Sequence, residues 1–255
     1  MKKSTLVLLP ALMLASTASL AEGDKSVFDT SNYEVSGYVS GTNNFMYRGL
    51  SLSANGGAIQ SQASLKSKSG LYVTVWGSNT ILRADDGSGS GLEGNFLLGY
   101  TNNITDDLTF DIGYMRTFYP GMNRGSRGGV TRDFNDFYGS LSYKGFTAGL
   151  SYSDDFFGET GDAYYTYASY NAPIIDQLSL IATVGHTRNS SKDFLGIFGV
   201  NESSWTHYII GVSHPLPWNM AISGAYHGTD GNGQDAFDIS GFGTNRFVAT
   251  LTKNF

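Results

Sequence analysis

The chain has 255 residues, with no cysteine and 4 histidines. Thiol chemistry and disulfides are excluded, so nucleophilic catalysis would need a serine activated by one of those histidines. His186 is the best placed. It shares parity with Leu178, Leu180, Ala182 and Val184, an apolar face, and Ser190, Ser191 and Ser204 lie close in sequence. Such a pair would suit a hydrolase that modifies membrane lipid, but no orienting group is evident, and an interfacial histidine is the simpler reading. His207 and His227 share the inward parity and could approach each other across a hairpin to bind a metal or sense pH; two histidines without a clear third ligand make a weak metal site. Gly89-Ser90-Gly91-Leu92-Glu93-Gly94 has dinucleotide-loop spacing but runs into a strand pattern instead of a helix. The acids of 230–235 resemble a calcium loop with its glycine and last acid misplaced, which leaves a turn as the expectation. No metal and no cofactor is expected.

A second set of residues is more coherent. Glu34, Glu93, Asp111, Asp136 and Asp155, with Tyr38, Tyr72, Trp76 and Tyr138, all fall on the polar phase of a two-residue alternation. If that phase lines a barrel, these side chains form its inner wall. Acids in such a wall favour cations, unless they pair with Arg48, Arg116 or Arg132 or with the basic cluster Arg124, Arg127 and Arg132 of an inward-folding link at 119–133. The four aromatics are expected to fill a narrow bore, in preference to forming a stacking track for rings.

The elements that must position these residues are strands. Phe146-Thr147-Ala148-Gly149-Leu150-Ser151-Tyr152-Ser153 alternates apolar and polar, as do 71–76 and 108–114. About twelve such segments are legible: 33–45, 57–66, 70–80, 92–102, 107–118, 134–143, 146–155, 162–171, 178–188, 204–213, 219–228 and 244–255. Their lengths approach the ~9–11 residues of a tilted membrane strand. Short links (66–69, 103–106, 144–145, 172–177, 214–218) alternate with long ones (47–56, 81–91, 119–133, 156–161, 189–203, 229–243). That is the pattern of an up-and-down barrel with short turns at one mouth and long links at the other. Aromatics gather near segment ends, with Tyr33, Tyr100, Phe110, Tyr143, Phe146 and Trp218 towards the short-turn side and Phe45, Phe118, Tyr119, Phe134 and Phe157 towards the long-link side. They are expected to form two interfacial girdles.

Composition agrees. Charged residues make up 15% and Gly numbers 33 against 5 Pro, a poor fit to a soluble helical domain. Lys2 and Lys3, the apolar run 6–15 and Ser19-Leu20-Ala21 form a signal-peptide pattern. The expected division is therefore a signal peptide at 1–21 and a barrel at 22–255. The formal charge of −6 becomes more negative once two lysines leave with residues 1–21, which argues against nucleic-acid binding. The last strand alternates and stops at Phe255, the form of segment that outer-membrane assembly machinery selects.

Phe45-Met46-Tyr47-Arg48-Gly49-Leu50-Ser51, the run 69–79 and Tyr152-Ser153-Asp154-Asp155-Phe156-Phe157-Gly158 together resemble the TorF-type porin family, also catalogued as a bacterial family of unknown function. The resemblance covers most of the chain after residue 21. It implies an outer-membrane barrel and suggests a pore, and says little about the solute. Tyr47 stands where family members often carry Phe before Arg-Gly.

The sequence thus predicts an all-β chain: a transmembrane antiparallel up-and-down β-barrel of about 12 strands after an N-terminal signal peptide. It would sit in the outer membrane of a Gram-negative bacterium and pass small hydrophilic solutes or ions without a chemical step. Expected partners are outer-membrane lipid, lipopolysaccharide, the barrel-assembly machinery and small solutes. A lipid-modifying hydrolase and a closed structural or adhesive barrel are the alternatives.

Overall fold

The computed structural model describes residues 32–83, 89–121, 131–197, 199–239 and 245–255. The expected signal peptide lies outside them. Fourteen strands occur among the described residues: β1 (Tyr33–Thr42), β2 (Met46–Tyr47), β3 (Leu50–Ser51), β4 (Ala58–Ser67), β5 (Leu71–Arg83), β6 (Gly89–Asn103), β7 (Leu108–Phe118), β8 (Phe134–Tyr143), β9 (Phe146–Ser153), β10 (Ala163–Ile175), β11 (Leu178–Asn189), β12 (Ser204–Leu216), β13 (Met220–Thr229) and β14 (Arg246–Asn254). Two helices, α1 (Asp193–Gly196) and α2 (Gly231–Ile239), lie in links. No described helix is long and apolar enough to cross a membrane.

Twelve of the strands close into one antiparallel barrel in which each pairs with its sequence neighbours, and β1 pairs with β14. That seam ends on Phe255, whose N–H donates to the Gly37 carbonyl while its own carbonyl accepts from Gly37 N–H, both at 3.0 Å. β2 and β3 pair only with each other, apart from the barrel.

The twelve predicted segments correspond to the twelve barrel strands, and parity sorts the faces. Val39, Ile59, Val75, Leu98, Ile112 and Leu150 stand exposed on the outside. Ser40, Gln60, Thr74, Thr101, Ser151 and Thr252 are buried on the inside. An apolar outer band over a polar interior is the inverse of a soluble fold and the pattern of a bilayer-spanning barrel. Lys253 breaks the apolar phase of β14, and its ammonium donates to the Trp218 carbonyl in the β12–β13 turn. Its stem thus covers the outer face while its charge reaches the rim. The tightest turn, Lys144-Gly145, has positive φ at both residues (47° and 86°), the two-residue geometry that follows strand twist.

Several expectations need correcting. The 81–91 link is mostly strand, because β5 runs to Arg83 and β6 starts at Gly89, with a register shift between Asn79 and Leu82. β1 stops at Thr42 and not at 45. The 230–235 segment opens α2 instead of forming a turn or calcium loop. The Asp230 carboxylate accepts from Gly233 N–H at 3.1 Å, an N-cap. The long-link girdle is built from other residues than expected. Phe45, Tyr119, Phe134 and Phe157 are buried inside the barrel mouth, and Phe118 alone of that set is exposed, beside Tyr164, Tyr208, Tyr226 and Phe247 near the same ends of their strands.

Candidate functional site: the barrel interior

The interior is built in two levels. Towards the short-turn end, tyrosines lie flat on the wall. Tyr72 faces Gly99 across β5–β6 and Tyr138 faces Gly113 across β7–β8. A Cβ on Gly99 would sit 2.4 Å from the Tyr72 ring, and one on Gly113 would sit 2.4 Å from the Tyr138 hydroxyl. Each glycine is therefore the floor for a ring. The two hydroxyls bond each other, and Tyr72 also donates to the Asp111 carboxylate at 2.7 Å. Above them Trp76 Nε1 donates to the Tyr38 hydroxyl at 3.0 Å. These rings fill the bore and bond one another.

The upper level is a plug. The 43–57 link turns back into the barrel as the β2–β3 hairpin, with Arg48 and Gly49 at its tip, both at positive φ (48° and 92°). Glycine is required at the second position. A Cβ there would meet Thr229 Cγ2 at 2.2 Å and His207 Cβ at 3.1 Å. The hairpin root is held by its own polar groups, since Ser51 donates to Asn44 Oδ1 at 2.6 Å and Phe45 N–H donates to Ser53 Oγ at 2.9 Å. The Phe45 ring lies 5.5 Å from Trp76 on β5.

The tip reaches the opposite wall. Trp205 Nε1 on β12 donates to the Arg48 carbonyl at 2.8 Å. The guanidinium carbon lies 4.2 Å from the Tyr165 ring centre, 5.0 Å from Tyr47 and 5.3 Å from Phe156. Arg48 Nη2 is 3.7 Å from the Asp136 carboxylate, and both side chains are almost fully buried (3% and 1% exposed). Among the described residues, Arg48 Nε and Nη2 make no hydrogen bond, so the guanidinium is held by charge and ring faces. Apolar residues from the other described links pack over the mouth. Phe194 of α1 stacks on Trp205 at 5.0 Å, Phe237 of α2 meets Trp205 edge-on at 5.6 Å, and Phe156 packs on Phe134 at 5.0 Å. Below the hairpin a cavity of about 60 Å³ remains, lined by Tyr38, Gln60, Trp76, Tyr165, His207 and His227 among others.

The predicted wall residues fall as follows. Tyr38, Tyr72, Trp76, Glu93, Asp111, Asp136 and Tyr138 point inward and are buried. Glu93 accepts from Tyr119 at 2.9 Å and from Asn95 at 3.3 Å. Burial, helped by the Glu93 charge, pushes the Tyr119 phenol well above its ordinary range, so it stays a donor. Glu34 is exposed at the start of β1, opposite Lys66 on β4. Asp155 does not line the wall. β9 ends at Ser153, and the Asp155 carboxylate is exposed and accepts from Gly161 N–H at 3.3 Å. Of the basic cluster, Arg124 and Arg127 lie outside the described residues. Arg132 sits over the Phe157 ring at 5.2 Å. Of the three candidate partners, Arg48 reaches one wall acid, Asp136, and Arg116 pairs with Asp133 instead.

The chemical alternatives gain nothing from the geometry. His186 is exposed and bonds Thr206 at 3.0 Å, while Ser191 donates to the Thr160 carbonyl. His207 is buried and bonds the Tyr165 hydroxyl at 2.9 Å. Among the described residues no cluster of three His, Asp or Glu side chains could hold a metal.

The class of protein is thus a closed twelve-stranded barrel with an apolar exterior, a polar wall and an inserted hairpin. Comparison with known proteins gives the family. Residues 27–255 match the model of Gcw_chp, "Bacterial protein of unknown function", and the chain belongs to that family. No curated protein is similar in sequence. Among solved structures, the KdgM porin aligns over 87% of this chain and 99% of its own, at 8% identity and TM-score 0.51. A structure from a study of in-meso crystallization of membrane proteins aligns over 86% and 83%, at 9% identity and TM-score 0.51. The NanC porin aligns over 85% and 97%, at 12% identity and TM-score 0.48. At 8% and 9% identity the likeness to the first two is one of fold.

Proposed function

We propose that this protein is an outer-membrane channel for small hydrophilic solutes and ions, closed at rest by its first long link. The observation that carries this reading is the wall. Ser40, Gln60, Gln62, Asn95, Thr183, Thr187 and Thr252 are buried on its inner face, and each has a side-chain polar atom that no described protein group satisfies. Buried polar atoms need partners, and once the hairpin is withdrawn from the bore that partner is water. A structural barrel has no use for a wetted wall, whereas a conduit requires one. The fold shared with the KdgM porin and the resemblance to TorF-type porins support the same reading.

The charge of the wall supports a cation preference. Among the described residues the buried charged side chains are Glu93, Asp111, Asp136 and Arg48, three carboxylates against one guanidinium. The lipid-facing band completes the picture of an outer-membrane resident, with lipopolysaccharide outside and the barrel-assembly machinery as a partner.

Current through single molecules in a planar bilayer under a salt gradient tests the proposal. Small discrete steps with a cation-selective reversal potential are expected. Electrical silence from protein shown to be folded, both for the wild type and for a chain lacking the β2–β3 hairpin, would instead favour a closed structural barrel. Anion selectivity would reject the role given to the wall carboxylates.

A further inference from the structure

The Arg48 guanidinium occupies a receptor that belongs to the wall. Tyr165 comes from β10, Asp136 from β8 and Phe156 from the link after β9, so three separate elements converge on one cation. None of them is part of the hairpin. An aromatic face at 4.2 Å, a second at 5.3 Å and a buried carboxylate at 3.7 Å are the parts of a site for an organic cation. The hydrogen-bond geometry is incomplete, since Arg48 Nε and Nη2 and Asp136 Oδ2 find no partner among the described residues. A tethered arginine is confined to the positions its hairpin allows. A free guanidinium is not so confined, and it could bring its N–H groups onto the Asp136 carboxylate at hydrogen-bond distance.

We propose that Tyr165, Phe156 and Asp136 form a binding site for guanidinium-bearing solutes and that Arg48 is a built-in competitor for it. Resting closure and solute recognition are then one equilibrium. A solute that takes the site displaces the tip, and the hairpin, which also carries Tyr47, leaves the bore. The positive φ of Arg48 and Gly49 keeps the tip narrow enough to enter and leave the bore as a unit. This inference rests on the channel reading for its consequence, but not for the site itself.

The test uses the full barrel refolded in detergent, with Arg48→Ala as the emptied site and methylguanidinium as the probe. Calorimetric titration should give saturable binding to Arg48→Ala, with urea, the neutral isostere, giving none. Binding should weaken by about tenfold or more in Arg48→Ala/Asp136→Asn, which removes the charge. In planar bilayers Arg48→Ala should conduct several-fold more than the wild type, and millimolar methylguanidinium should reduce that current while urea leaves it unchanged. Absence of binding to folded Arg48→Ala, or equal binding with and without the Asp136 charge, would overturn the site. Binding without current in any variant would uphold the site and overturn the channel reading. Should Arg48→Ala fail to fold, Arg48→Gln, which keeps most of the side-chain volume, carries the same titration.

Discussion

The guanidinium carbon of Arg48 lies 4.2 Å from the centre of the Tyr165 ring, although Arg48 springs from the link between β1 and β4 and Tyr165 stands on β10. In the barrel order β10 is half-way round from β4. The hairpin therefore crosses the whole bore, and its tip residues are measured against the far wall.

Gly49→Ala should unseat the tip. Its φ of 92° is strained for alanine, and the added Cβ would strike Thr229. A cost of about 1–3 kcal/mol is expected if the hairpin stays docked, and withdrawal relieves it. Limited proteolysis within 43–57 and single-channel conductance should both rise relative to wild type. Unchanged protease resistance would show that the tip packing is slack.

Asp136→Asn leaves a buried guanidinium without its counter-charge. Removal of one partner of such a pair costs about 3–5 kcal/mol. The urea midpoint of the barrel in lipid vesicles should fall, and Arg48→Met combined with Asp136→Asn should recover most of the loss. Additive single effects in that cycle would mean the 3.7 Å pair contributes no coupling.

Trp205→Phe keeps the ring that packs on Phe194 and Phe237 but removes the donor to the Arg48 carbonyl. Loss of one hydrogen bond to a buried acceptor should cost roughly 1–3 kcal/mol. The effect should appear as faster hydrogen exchange in the hairpin, with the barrel strands unaffected.

Asp111→Asn and Glu93→Gln each remove one of the three buried carboxylates. Each should move the reversal potential in a salt gradient towards zero, and together they should abolish cation preference. A selectivity untouched by either change would place its origin outside the wall.

Deletion of Phe255 removes both bonds to Gly37 and the ring that covers the β1–β14 seam. The heat-modifiable folded band on a gel should form more slowly and in lower yield.

The barrel itself was legible because a strand with one wet and one oily face writes its period directly into the sequence. Parity placed Asp111, Asp136 and Tyr138 on the inner wall without any structure. The plug was not legible by that means. Phe45 keeps the alternation of β1, so the pattern runs past Thr42 to 45, and nothing in it marks Arg48-Gly49 as the tip of an inserted hairpin. A signal was present. The long links carry large apolar residues, Leu50 and Leu52, Phe156 and Phe157, Phe194 and Leu195, Phe237, which a link in water has no reason to keep. Their burial in the mouth resolves that surplus, and the outer aromatics at that end are instead Phe118, Tyr164, Tyr208, Tyr226 and Phe247. Asp155 follows the alternation of β9 yet lies beyond its last residue, Ser153, because a polar alternation carries no mark of where pairing stops.

The hairpin is made early in the chain, between the first two barrel strands, yet the groups that grip it come from β8, β10, β12 and β13. None of those contacts exists until the later strands are in place. Seating the stopper is therefore a late event in the life of the molecule, after the cylinder is nearly complete. The tip can meet its partners on the far wall only after β8, β10, β12 and β13 have taken their places.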